Sequence, residues 1–522
     1  MKQPNYPLLC QVNTRVWLTE ISERIGRHAT LDDIPDEDLD RFVDLGFDWI
    51  WFLSIWTTGK AAQRISCENS GWRHEFQETL PDLREEDIAG SGFAITAYTV
   101  HPYLGGNEAL AKLRARLKKR GLKLMLDFVP NHMAPDHSWI EDHPDFFVSG
   151  TQSDLQNSPQ NYRVVKHKKG DIILAYGRDP YFDGWPDTLQ LDYSNPATQK
   201  AMIQELVRIS GQCDGLRCDM AMLVLPEVFE KTWGRNAPLF WPKAIAAVRE
   251  RVPGFTFMAE VYWDLEWTTL QQGFDYAYDK RLYDRLRKGH VGELRGHLNA
   301  APDYQKRLAR FLENHDEPRA AATFDSKMHK AAAVITFLSQ GIRFLHQGQF
   351  EGRKKRISPH LVRAPQEPVD QELEKFYREL LNALKNSVFR NGQWRQLNPL
   401  PAWDGNNSFE SFLAFAWEDE YNHLALVVVN YAAHPGQCYI RLPFQYLADK
   451  GLRFRDLMSI AQYDRDGNKI LSEGIYLDMP AWGYHIFEIS IPANIFFNQP
   501  GAPDLSGHNQ PIATLKEDDL IS

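Results

Sequence analysis

Over roughly the first 400 positions, short apolar runs alternate with segments of helical spacing. Apolar runs at Arg15–Leu18 and Phe47–Leu53 predict two strands, and Pro35–Leu45 between them predicts a helix stopped by Gly46. A long loop rich in Gly, Pro and acidic residues is expected to reach about His101. Asn107–Arg120 then predicts a helix ending at Gly121, and Leu122–Val129 a fully buried strand. Further strands are expected to end at Asp219, at Glu260, near Asp275, at Asn314 and near Gln347, with helices such as Thr198–Ser210 and Lys243–Arg251 between them. Strands alternating with helices predict a parallel sheet, and eight such units suit a (β/α)₈ barrel better than a doubly wound sheet.

Two stretches break this rhythm. From His132 to about Pro196 no strand–helix unit is visible, and a connection of that length forms a subdomain or carries function. After about Pro399 the pattern becomes alternating, with candidate strands at Phe412–Trp417, Leu424–Asn430, Gln437–Leu442 and His485–Ile491, which predicts an antiparallel β domain. From about Asn498 apolar residues thin out, and a loose tail is expected.

Composition narrows the function classes. The 522 residues are 43% hydrophobic and 25% charged, enough to bury a sizeable core without disulfides. The net charge of −10 argues against a nucleic-acid partner and for a neutral or weakly charged substrate. Cys10, Cys67, Cys213, Cys218 and Cys438 show neither zinc-ligand spacing nor a disulfide framework, so thiols in a reducing cytoplasm are expected. The N-terminus does not read as a signal peptide, and no apolar run is long enough to span a membrane. These features carry no signal of oligomeric state.

Several predicted strands end in polar residues that a core would not select. Leu122–Asn131 runs into Asp127, Asn131 and His132; Asp214–Asp219 ends in Arg217 and Asp219; Phe255–Glu260 ends in Glu260; Phe311–Asp316 ends in Asn314, His315 and Asp316. In a (β/α)₈ barrel such ends share one mouth. Arg217 and Asp219, two apart on a strand, face the same side. Glycoside cleavage needs one carboxylate to attack the anomeric carbon and a second, protonated, to serve the leaving oxygen. A cation beside Asp219 would keep it ionised, while burial and neighbouring carboxylates would raise the Glu260 pKa.

These four runs, in this order, resemble the conserved regions of the α-amylase family of glycoside hydrolases, and Trp185–Tyr193 resembles a further segment of that family. The resemblance implies a catalytic barrel over 1–132 and 197–398, a small inserted domain over 133–196 after the third strand, and a C-terminal antiparallel β-sandwich over 399–497, followed by the tail 498–522. It implies Asp219 as nucleophile, Glu260 as acid/base, and Asp316 gripping the distorted sugar. His132 and His315 would bond that sugar, Arg217 would orient Asp219, and Asp127 and Asn131 would support them. Phe93 or Tyr98 would offer an aromatic face to the ring. An α-glucan or small α-glucoside is the implied substrate.

The match departs from starch-type amylases at Met222 and Leu223, where the family usually carries Lys-His. That pair serves the leaving-group side, and its His carbonyl helps bind calcium, so the expectation is that no cofactor is required, with calcium in doubt and Asn131 its one candidate ligand. The basic run Arg353–Arg356 after the eighth strand is expected either to face solvent or to receive a phosphate or carboxylate at the mouth. Three readings follow: a hydrolase, a transglycosylase or phosphorylase with another acceptor, and a sugar-binding relative without catalysis. The last sits poorly with a complete set of carboxylates.

Overall fold

The computed structural model describes residues 3–492 and 512–513. Eight parallel strands close a barrel: β1 Leu8–Asn13, β2 Trp49–Leu53, β3 Lys123–Phe128, β4 Gly215–Cys218, β5 Thr256–Ala259, β6 Tyr276–Tyr278, β7 Leu308–Arg310 and β8 Ile342–His346. Closure is between β1 and β8, with Leu8 opposite Arg343, and β1 pairs on its other side with β2, Leu9 opposite Trp49. The strands are buried almost throughout because helices cover the outside and side chains fill the inside, so they lack the alternation of a half-exposed sheet.

The first strand is not Arg15–Leu18. Those residues lie in the helix Thr14–Ile25, which buries Trp17, Leu18 and Ile21 at helical spacing, while the strand is Leu8–Asn13. Asn13 caps this helix through Val16 N–H, and Gly26 closes it at φ 70°. Two other strands are displaced: β6 begins just after Asp275, and β7 ends at Arg310, leaving the motif at Asn314 on the loop beyond it.

The expected loop after β2 is a folded excursion. Trp56–Thr58 pairs antiparallel with Ile95–Val100, and between them lie the helices Lys60–Glu68 and Ser70–Thr79. Phe76, Leu80 and Ile88 bury a small core there together with Leu361 from the loop after β8. Between β3 and β4, His132–Met133 pairs with Leu189–Gln190, and Tyr162–Val165 forms a hairpin with Ile172–Ala175.

Beyond the barrel, a six-stranded antiparallel sheet runs in the order Gln393–Leu397, Phe412–Glu418, Leu424–Asn430, Tyr484–Ser490, Gly451–Asp456, Gln462–Asp466. A second sheet holds Pro399–Pro401, Gly436–Ile440, Ile475–Met479 and Ile512–Ala513. Trp417 Nε1–H donates to the Leu338 carbonyl at 2.8 Å and Tyr431 O–H to the Leu286 carbonyl at 2.9 Å, fastening this region to the barrel. Apart from Ile512–Ala513, the expected tail lies outside the described residues.

Candidate active site

The barrel interior ends upward in aromatic rings. Trp51, Tyr278 and Phe344 pack together on the axis, and the guanidinium of Arg217 rests over Trp51 and Phe93, each 5.3 Å from its carbon. Arg217 is fully buried, so its charge must be met by carboxylates. Its Nη1 bonds Asp219 Oδ1 at 2.5 Å and its Nη2 lies 2.7 Å from Glu260 Oε2. Asp127 and Asp316 lie at 3.8 and 4.0 Å. One cation from β4 thus gathers carboxylates from the ends of β3, β4, β5 and the loop after β7.

The backbone turns sharply after Asp219. Met220 adopts the left-handed region, φ 39°, which is rare for a residue with a side chain. That turn points the Met220 N–H at Glu260 Oε2, 2.6 Å away. Tyr262 O–H donates to the other oxygen, Oε1, at 2.8 Å. Met222 and Leu223 follow in a short 3₁₀ turn and are buried in the core.

The two central carboxyls differ in acidity. Burial pushes the Glu260 carboxyl up to about 8, against the pull of Arg217 and with a further push from Asp219 and Asp316. Burial raises Asp219 only to about 6, held back by Arg217 through both charge and hydrogen bond. Of the two, Glu260 therefore keeps its proton to the higher pH and Asp219 ionises first.

On the loop after β7, Asn314 Oδ1 accepts from the N–H groups of Asp316 and Glu317 at 2.9 and 2.8 Å, a turn that lifts Asp316 to the mouth. Burial holds His315 far below the usual histidine range and His132 at about 3, so both rings are neutral. Gln11 Nε2–H reaches His315 Nδ1 at 2.8 Å, leaving the ring proton on Nε2, 3.1 Å from Asp316 Oδ2.

A cavity of about 310 Å³ opens over these groups, within the usual range for a ligand site. Asp219, Glu260, Asp316, His132 and Phe93 line it. Arg217 and His315 lie beneath it. Asp127 is also below, its carboxylate accepting from Trp51 Nε1 and Ser54 N, each at 3.1 Å. Tyr98 is not at the cavity: it is buried, stacked on Phe128, with its hydroxyl bonded to the Val129 backbone. Of the two aromatic candidates, only Phe93 faces the site.

Asn131 is buried, its amide oxygen accepting from Gln190 Nε2 at 3.0 Å and its carbonyl from Leu191 N–H at 3.0 Å. The nearby Asp192 carboxylate is paired with the Arg235 guanidinium. The basic run after β8 is largely engaged: Arg353 pairs with Glu20 at 3.1 Å, Arg356 pairs with Glu75, and the backbones of Lys354 and Lys355 bond Glu367. None of the four lines the cavity.

Sequence reasoning did not single out Trp72, Ser91, Asp187, Thr188 or His360, which also line the cavity. Asp187 lay within reach of that reasoning, two residues after Trp185 in the long polar segment. It is 3% exposed, its Oδ2 has no protein partner, and burial raises its carboxyl to about 7. Trp72 and His360 carry no signal of their own, since distant loops bring them together.

Known proteins resemble this chain at low identity. The α-1,4-glucan:maltose-1-phosphate maltosyltransferase of Burkholderia pseudomallei is 31% identical over 152 residues, 28% of this chain and 12% of that protein. The α-amylase MalA of Haloarcula japonica is 23% identical over 367 residues, 68% of this chain and 50% of that protein. The chain thus spans half or less of the length of these two relatives. Among solved structures, the maltogenic α-amylase AmyB of Thermotoga neapolitana superposes with a TM-score of 0.65 at 18% identity, covering 93% of this chain and 99% of that one. The family model of the α-amylase catalytic domain matches residues 36–396, most of the barrel, and the chain therefore belongs to the α-amylase family.

Proposed function

We propose that the protein is a retaining α-glucoside-cleaving enzyme working through a covalent glycosyl intermediate. The observation that carries this is the single guanidinium of Arg217 set against two carboxyls, Asp219 and Glu260, that line one cavity. In the first step an Asp219 oxygen bonds the anomeric carbon, the glycosidic C–O bond breaks, and the Glu260 proton passes to the departing oxygen. In the second, Glu260 takes a proton from the acceptor, whose oxygen displaces Asp219. Asp316 accepts from ring hydroxyls, His132 bonds them from the cavity wall, His315 lies beneath with its Nε2 3.1 Å from Asp316, and Phe93 offers its face. The substrate is an α-glucan or small α-glucoside.

A second reading, with an acceptor other than water, is favoured by one feature. Met222 and Leu223 are buried, so the turn after the nucleophile offers no polar side chain to the leaving group. Beyond Glu260, the exposed rings of Tyr181 and Trp263 meet edge to face at 5.0 Å and offer apolar faces to an incoming sugar. The maltosyltransferase among the relatives makes transfer to a glucan or from a sugar phosphate a fair comparison.

No metal is assigned to the reaction. Calcium needs six to eight oxygens, whereas the Asn131 oxygens accept protein N–H groups and Arg235 places a cation on Asp192. The five cysteines are unpaired thiols, as a reducing cytoplasm would leave them, and no helix among the described residues is long and apolar enough to cross a membrane.

The test is the stereochemistry of turnover followed by NMR, with maltooligosaccharides or α-glucosyl fluoride as donor, with and without phosphate or sugar acceptors. An α-configured first product supports the reading, and a β-configured one overturns it. A product other than free sugar when an acceptor is present selects the transfer reading.

A further inference from the structure

The loops after β2 and β8 meet over one side of the barrel mouth. Trp72, from the helix Ser70–Thr79, and His360, beyond β8, place their rings 4.7 Å apart, and both line the catalytic cavity. We propose that this pair is the end wall of a dead-end pocket that accepts one glycosyl ring ahead of the scissile bond, so that the enzyme takes glucosyl units singly from a non-reducing end. This rests on the roles proposed for Asp219 and Glu260.

The direction follows from barrel order. Glu260, at the end of β5, must touch the glycosidic oxygen, so the leaving group lies on the β5 side. In a glucopyranose, O4 is across the ring from C1. With C1 beside Asp219 and Glu260, O4 points across the mouth towards β8, β1 and β2. A longer chain on that side would have to continue from O4, where Trp72 and His360 stand. On the other flank Tyr181 and Trp263 are exposed and leave room for a leaving group or acceptor.

The wall is braced. Ser66 Oγ bonds His360 Nδ1 at 2.8 Å, and the Phe76 ring lies 5.6 Å from the imidazole. Two backbone hydrogen bonds tie the loops together: Ala89 N–H to the His360 carbonyl at 2.9 Å and Val362 N–H to the Asp87 carbonyl at 3.0 Å. Beneath them lies the shared core of Phe76, Leu80, Ile88 and Leu361. That core fixes the backbone from which the two rings project, so the rings themselves are what bars the site.

The experiment compares two donors whose leaving group needs no proton, α-glucosyl fluoride and α-maltosyl fluoride, by fluoride release. The wild-type protein should turn over the glucosyl donor with kcat/KM at least about 100-fold above that of the maltosyl donor. Trp72→Ala and, separately, His360→Ala should narrow this ratio by about tenfold or more, with folding checked by circular dichroism. Equal or better use of maltosyl fluoride by the wild type overturns the wall, as does a ratio that neither variant moves. Should neither fluoride be released, the glycosidase reading itself fails, and the wall fails with it.

Discussion

The backbone N–H of Met220 donates to Glu260 Oε2 at 2.6 Å, so the residue after the proposed nucleophile holds the proposed acid in place. The contact exists because Met220 occupies the left-handed region, a conformation costing a non-glycine residue about 1–3 kcal/mol. Met220→Gly should keep the hydrogen bond and raise thermal stability or leave it unchanged. Met220→Val, β-branched at a positive φ, should lower stability by about 1–2 kcal/mol. Thermal unfolding of the two variants checks this; a Val variant as stable as the Gly variant would contradict it.

Arg217 should be irreplaceable by lysine. A lysine ammonium has a single nitrogen and cannot set one nitrogen on Asp219 and another 2.7 Å from Glu260. Arg217→Lys should lower kcat about 100-fold or more, comparable to losing a preorganised donor. Arg217→Ala should also destabilise the fold by about 3–5 kcal/mol, because buried carboxyls lose their cation. Steady-state kinetics and denaturant unfolding read the two effects separately.

The pH profile of kcat/KM should be a bell. Its acid limb belongs to Asp219, raised to about 6, which must be ionised to attack; its alkaline limb belongs to Glu260, raised to about 8, which must keep its proton. Activity should fall below the first value and above the second. Glu260→Gln should lose activity on glucosides whose leaving group needs a proton while sparing the first step on α-glucosyl fluoride, which needs no acid, and on that fluoride the wild type should show no alkaline limb. A profile that stays flat across both values would count against this assignment.

Asp187 should make stability fall as pH rises. Its folded pKa, raised to about 7 by burial, exceeds its unfolded value near 3.8. The folded state therefore binds the proton more tightly, and the ionisation penalty grows between those values and is complete above the higher one. Asp187→Asn should match the wild type near pH 4 and exceed it above neutrality by about 2–4 kcal/mol. Unfolding at both ends of the range checks the sign.

Chelation should change little. With Asn131 bonded to Gln190 and Asp192 paired with Arg235, EDTA should leave both activity and the melting temperature unmoved. A large drop in melting temperature, reversed by calcium, would restore a metal to this region.

Local chemistry was open to reading in the residues. Asp127, Arg217, Asp219, Glu260 and Asp316 stand at or just past strand ends in short motifs, and a parallel barrel brings such ends to one mouth whatever the details of its loops. The fully buried strand β3 and the helices around Thr198 and Lys243 could be read because their apolar periods are local. The first strand was misplaced because a run buried on both faces carries no alternation, and the neighbouring Trp17 and Leu18 imitate a strand when only four residues are seen.

What lay beyond the sequence depended on contacts between segments far apart in the chain. That Phe93 rather than Tyr98 reaches the cavity is decided by a hydroxyl bonding the Val129 backbone. That Trp72 meets His360, 288 positions later, is decided by a core shared between two loops. The order of residues determined which acids a barrel would gather; only the packing of its loops decided how much sugar could stand before them, since loop shape arises from long-range burial and has no local period.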